Sequence, residues 1–175
     1  IIRYPRLFLL ARRTGRENRL GPGGRFYHHR EISFGDSIYI GPGFHISAYK
    51  LSIGNGVQIG PRLLIECHDH TFNVVGKTLW EIRKIKNYGG VSIEDDVWIG
   101  ANVSILKGVT IGEGTVVGAS SVVTRSLPPY TVCVGIPCKP VKKRFADNDL
   151  EEHLKQLASG YSPGEVRASW QEAGL

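Results

Sequence analysis

Residues 93–123 read IEDDVWIGANVSILKGVTIGEGTVVGASSVV, and an aliphatic residue stands at every sixth position: Ile93, Ile99, Ile105, Ile111, Val117 and Val123. An earlier run has the same spacing, Phe34, Ile40, Ile46 and then Ile53, Ile59, Ile65, with one extra residue between Ile46 and Ile53. Seven of these twelve residues are followed by glycine (Gly35, Gly41, Gly54, Gly60, Gly100, Gly112, Gly118). Four positions after the aliphatic a second apolar residue recurs, as at Ile38, Phe44, Val57, Leu63, Val97, Val103 and Val109. Six is a multiple of two and not of 3.6, so the period belongs to strands, with positions 1 and 5 of each hexad facing one way. Glycine at position 2 permits a bend that a Cβ would resist. Strand and bend in fixed alternation describe an all-β solenoid in which three hexads close one triangular coil. The twelve hexads give about four coils, roughly 19 Å tall at about 4.8 Å per stacked strand.

The rest of the chain fits one domain with short appendages. It has 175 residues, 22 of them glycine, which argues against a helical bundle. Hydrophobic residues make up 41% and charged residues 22%, a globular composition. The apolar stretch Leu7 to Ala11 is too short to span a bilayer, and its flanking arginines leave no readable signal peptide. Three cysteines, Cys67, Cys133 and Cys138, have no paired spacing. They read as small apolar fillers in a reducing compartment, hence a cytoplasmic protein. The net charge of +6 is unevenly spread: residues 1–30 carry eight arginines against Glu17, and residues 139–144 carry Lys139, Lys142, Lys143 and Arg144 with no acid. The short basic cluster suits a compact polyanion such as a nucleotide phosphate. No continuous basic face with interleaved aromatics is present, so nucleic acid is not expected as a partner.

Residues 66–92 interrupt the hexads and begin Glu66-Cys67-His68-Asp69-His70-Thr71. A long loop inside a compact repeat is commonly functional. Asp69 would take the inward fifth position of the hexad begun by Ile65; a carboxylate does not belong there, so the coil ends and His68 and His70 stand at the mouth of a protruding loop. Histidine is the natural base for a hydroxyl proton near neutral pH. His-Asp-His also offers two metal ligands, but His28, His29, His45 and His153 give no third at a suitable spacing, so no metal is expected. Cys67 beside His68 raises a thiol nucleophile, against a buried filler.

Four segments follow: a basic arm or cap (1–31), the hexapeptide solenoid (32–124) with its inserted loop (66–92), a basic loop and tail (125–146), and a helical segment (147–175). In the last, Leu150, Leu154 and Leu157 share a face with Gly160 as a stop, and Ser162-Pro163-Gly164-Glu165 reads as a capping box. The arm has two readings, a cap over the open end of the solenoid or a peripheral contact with an anionic membrane or lipid-linked saccharide.

The second run, with its Val97–Gly100 step (Val-Trp-Ile-Gly), the Pro128–Pro129 turn and the Val134–Lys139 loop (Val-Gly-Ile-Pro-Cys-Lys), resembles the hexapeptide-repeat acyltransferases. Within them it resembles the sugar and polysaccharide O-acetyltransferases, which include the galactoside, maltose and xenobiotic acetyltransferases. The resemblance covers residues 32–144 and implies a left-handed parallel β-helix that trimerises, with acetyl-CoA as co-substrate. It implies His70 as general base, with His68 as the alternative. It carries the donor side onto Trp98, Ala101, Ala119, Thr124, Arg125, Lys139 and Lys142, with alanine at 101 where relatives often have serine, so that only its backbone N–H could serve an oxyanion. The segment Ser47-Ala48-Tyr49-Lys50-Leu51 lacks the asparagine and acidic residues of the galactoside and maltose enzymes. The implied acceptor is thus a hydroxyl of a capsule, exopolysaccharide or lipopolysaccharide sugar. Acetylation of a sugar-nucleotide amine or a drug, and a catalytically silent scaffold, are the alternatives.

Overall fold

The structure is a computed structural model that describes residues 15–27, 31–82 and 89–175. The first fourteen residues of the arm, with both of its proposed roles, and His28 and His29 lie outside the described residues. The hexads wind into a three-sided parallel solenoid. One side is a seven-stranded sheet of β1 (Arg19–Leu20), β4 (Tyr39–Ile40), β7 (Gln58–Ile59), β10 (Trp98–Ile99), β13 (Val116–Val117), β15 (Thr131–Gly135) and β16 (Cys138–Lys143). The second side holds β2 (Arg25–Tyr27), β5 (His45–Ser47), β8 (Leu64–Glu66), β11 (Ser104–Leu106) and β14 (Val122–Val123). The third holds β3 (Glu31–Phe34), β6 (Lys50–Ile53), β9 (Val91–Ile93) and β12 (Thr110–Ile111). Only the β15–β16 pair is antiparallel among the described strands.

The register stacks like residues. Ile40, Ile59, Ile99, Val117 and Cys133 form one inward column, and Phe26, Ile46, Ile65, Ile105 and Val123 another. The apolar fifth positions from Ile38 to Val109 are buried with them. Insertion of the loop leaves the pairing intact: Ile59 meets Ile99 and Ile65 meets Ile105 as though nothing intervened. The loop therefore leaves the prism as a side excursion.

Two features differ from the hexad reading. The solenoid starts earlier, since β1 and β2 already pair with β4 and β5, inside the stretch read as an arm. The glycines also act differently. The residues with positive φ at the corners fall two positions later and are mostly not glycine, as at Arg62, Asp96, Asn102 and Ser120. What glycine supplies is close approach: a Cβ on Gly60 would lie 2.7 Å from the Ala101 nitrogen, and one on Gly100 would lie 2.6 Å from that of Ala119.

Helices α1 (Asp147–Leu157) and α2 (Pro163–Glu172) close the chain. Leu150 and Leu154 are buried while Leu157 is exposed, and α1 ends on the left-handed Ala158, before Gly160. The capping box forms, with Ser162 Oγ accepting from the Glu165 N–H and the Glu165 carboxylate accepting from the Ser162 N–H. Both helices pack on the solenoid through a second core of Tyr130, Leu150, Leu154, Val166 and Trp170, where Trp170 Nε1–H donates to Pro129 O at 2.9 Å. Arg144 ties this region to the coil corners by donating to Asp96 Oδ2 (2.7 Å) and Gly114 O (2.9 Å).

All three cysteines are buried and free. Burial pushes the thiols of Cys67 and Cys133 up to about 11 and raises that of Cys138. At Cys67 the Glu66 carboxylate adds to burial and Lys107 opposes it. A thiol in such a state is a poor nucleophile at neutral pH.

Two outcomes are expected. Ile99→Ala, inside a fully buried column, should cost about 2–5 kcal/mol in chemical denaturation, against about 1 kcal/mol for Ser162→Ala at the cap. Equal losses would contradict the weight given to the columns. At pH 7.5 a thiol reagent should label none of the three cysteines until the protein unfolds, as read by intact mass; rapid native labelling of Cys67 would revive the nucleophile reading.

Candidate active site

The chain leaves the prism at the end of β8, and the structure builds the loop root from three neighbouring elements. Glu66 and Ser47 are register partners on β8 and β5, so both reach His68. The ring nitrogen Nδ1 of His68 lies 2.8 Å from Ser47 Oγ and 2.9 Å from Glu66 Oε1. The ring also packs against Tyr49, with centroids 5.6 Å apart. Its Nε2 is shielded from solvent. His68 is thus locked in place.

Asp69 turns outward and pairs with Lys107 Nζ at 2.7 Å, which fastens the loop to the next coil. His70 follows and is exposed. Beyond it Phe72, Val75, Leu79 and Trp80 are exposed on the loop. Of the two carboxylates that could orient a ring, Glu66 holds His68 and Asp69 is committed to Lys107. The contribution of Ser47 was not read from the sequence; the signal was the coil repeat itself, which sets β5 beside β8.

The residues expected on the donor side fall in four places. Trp98 projects from β10 on the outer face of the seven-stranded sheet and is 60% exposed. Ala101 and Ala119 occupy corresponding corners of successive coils, where Ser120 N–H donates to Ala101 O at 2.8 Å. Thr124, Arg125 and Lys139 line one cleft of about 600 Å³ between the corner after β14, the β15–β16 hairpin and the end of α2, where Glu172 also contributes. Lys142 is not part of that cleft; it pairs in register with Val132, at the far end of the Trp98 column.

A second concavity of about 500 Å³ lies under Tyr161 and is lined by Glu94, Asp95, Glu113 and Glu165. Its carboxylates would repel a polyphosphate, whereas two cations border the Thr124 cleft; charge alone favours the latter for an anionic nucleotide. His70 and Trp98 stand on different sides of the prism. The loop root lies at the corner between the five- and four-stranded sheets, and Trp98 on the face of the third. Among the described residues no group of three or more histidine, cysteine or carboxylate side chains is placed to hold a metal ion, and no helix is long and apolar enough to cross a membrane.

Residues 90–125 match the family described as "Bacterial transferase hexapeptide (six repeats)". The chain is 33% identical over 131 residues to the galactoside O-acetyltransferase of Escherichia coli K12, covering 70% of this chain and 60% of that enzyme. It is 36% identical over 156 residues to a Lysinibacillus sphaericus protein named "Probable macrolide acetyltransferase", covering 85% and 84%. It spans less, 43%, of a Schizosaccharomyces pombe relative, so it accounts for about half the length of the first curated relatives it matches. Among solved structures, a galactoside acetyltransferase in complex with coenzyme A superposes with a TM-score of 0.72 at 29% identity, covering 83% of this chain and 70% of that one. With the stacked hexads, the three-sided core and a near full-length relative in agreement, the chain belongs to the hexapeptide-repeat transferase family.

Proposed function

We propose that this protein is an acetyl-CoA-dependent O-acetyltransferase that acts on a hydroxyl of a sugar in a surface polysaccharide or its precursor. The observation that carries the reading is the assembly of Thr124, Arg125 and Lys139 around one cleft, at the same end of the solenoid as Lys142, while Trp98 stands exposed further along the sheet. That spread suits a long thin ligand with a phosphorylated end. The galactoside enzyme of the same fold that binds coenzyme A supports the donor. The three buried, unpaired thiols fit a reducing compartment, and we take the protein to be cytoplasmic.

His70 is the general base in this reading. A base must touch the proton it removes; the exposed ring of His70 can meet a substrate, whereas His68 is held by Glu66 and Ser47 with Nε2 turned inside. His70 takes the proton of the acceptor hydroxyl as the oxygen adds to the thioester carbonyl. The tetrahedral intermediate then collapses, the C–S bond breaks, and the departing thiolate takes the proton back from the imidazolium. Backbone N–H groups near Ala101 serve the oxyanion. No covalent enzyme intermediate is needed, in keeping with the inert cysteines. Because His70 and Trp98 lie on different sides of one prism, the site is completed by a neighbouring copy, in a homotrimer of about 58 kDa. A second acceptor class has one specific support: the near full-length relative is named for a macrolide.

His70→Ala should lower kcat by roughly 10²–10⁴-fold and leave acetyl-CoA affinity, measured by calorimetry, nearly unchanged. Loss on His68→Ala with His70→Ala active would move the base to His68. Activity in both variants would end the histidine mechanism, and no coenzyme A binding at millimolar ligand would favour a silent scaffold. Mass-spectrometric screening of sugar, sugar-nucleotide and macrolide acceptors separates the acceptor classes.

A further inference from the structure

One column of outward side chains runs the length of the seven-stranded sheet. Following the register from one coil to the next gives Arg19, Tyr39, Gln58, Trp98, Val116, Val132 and Lys142. Every donor-side residue lies at the level of Trp98 or on its C-terminal side, where the column becomes aliphatic and ends in a lysine. On the other side of Trp98 the character changes to amide, ring and guanidinium. Gln58, Tyr39 and Arg19 are all exposed, Tyr39 at 45%. Among the described residues none of these three side chains has a hydrogen-bonded or ion-paired partner, although neighbouring polar side chains such as Asn18, Arg62 and Asn55 are engaged within the fold.

The spacing is fixed by the ladder. Tyr39 and Trp98 are two strands apart, about 10 Å, and Arg19 is one strand further. Sugar rings present C–H faces that stack on aromatic rings and hydroxyls that bond to amides. A guanidinium pairs with a carboxylate in a fork geometry. Two rings separated by an amide at this distance match the length of a disaccharide, and Arg19 beyond them matches an acidic group on the next unit. A second copy of the chain is the competing occupant, but the exposed apolar Leu64 and Leu106 on the five-stranded sheet suit such a contact better than this polar column.

We propose that the acceptor is an acidic oligosaccharide of two or more sugar units, lying along the outer face of the seven-stranded sheet from Trp98 toward Arg19. Tyr39 stacks under one ring, Gln58 bonds its hydroxyls and Arg19 pairs with a carboxylate. This rests on the proposed function, with Trp98 of the donor side taken to lie beside the reacting acetyl group. It makes Tyr39 and Arg19 specificity residues that leave the donor untouched.

The test uses the full chain with coenzyme A on a glycan array of neutral and acidic mono- to tetrasaccharides. Binding should be confined to acidic glycans of two or more units, weaken tenfold or more in Tyr39→Ala, and lose its preference for acidic over neutral glycans in Arg19→Gln. Both positions are exposed, and unchanged thermal melting confirms folding. Binding that ignores length and charge, binding unaffected by either variant, or no glycan bound would overturn the proposal. So would a fall in particle mass by light scattering in Tyr39→Arg, which would mark the column as a contact between copies. Coenzyme A calorimetry runs alongside: retained donor binding with failed glycan binding sinks this inference alone, while lost donor binding sinks the enzymatic reading beneath it.

Discussion

The hydrogen-bonded ladder between successive coils is the constraint on which everything else depends. It joins Gly41 N–H to Ile59 O, Gly60 N–H to Ile99 O, Gly100 N–H to Val117 O and Gly118 N–H to Cys133 O, each at 2.8 Å. Holding backbones at that separation forces equivalent residues into columns, inward ones apolar and outward ones free to carry chemistry. It also explains the tight corners, where stacked turns leave no room for a Cβ at Gly60 or Gly100. An insertion is tolerated only where it leaves the ladder, as residues beyond Glu66 do, with the pairing resuming undisturbed at β9 and β10.

The columns were legible because the period is stated twelve times in the sequence. What escaped had a weaker or non-local signal. Leu20, Phe26 and Ile32 are also six apart, yet their coil was hidden among arginines, and β3 turns both Ile32 and Phe34 inward, so the phase shifts between the two stretches. The glycines were correctly marked as corner residues, but for the wrong physical reason: their neighbours carry the left-handed φ, and glycine answers to the coil above. Cys133 continues the Ile99–Val117 column without hexad spacing, because Leu127 alone forms the third side of that coil by bridging to Ile111.

At the site, sequence reading identified residue types and structure supplied their company. His68 and His70 looked equivalent as His-Asp-His; only the pairing of β5 with β8 sets Ser47 and Glu66 on the first and leaves the second exposed. Likewise Lys139 and Lys142 looked like one basic cluster, and the alternation of β16 sends them apart, one to the Thr124 cleft and one to the sheet face. The acidic lining under Tyr161 was not anticipated, since its four carboxylates come from two separate turns and a helix start.

The division of the proposed machinery between sides of the prism follows from the same geometry. The loop root and Trp98 stand on different sides of a three-sided coil, so in the proposed reading a base at His70 and a donor held beside Trp98 meet only when prisms pack together. The most direct measurement mixes two inactive forms, His70→Ala chains and chains whose donor slot is blocked by Ala119→Trp, under conditions where subunit exchange is verified by mass. Acetyl transfer should reappear in the mixture, because some interfaces then pair an intact His70 with an intact donor slot. Continued inactivity with exchange confirmed would contradict a site shared between copies.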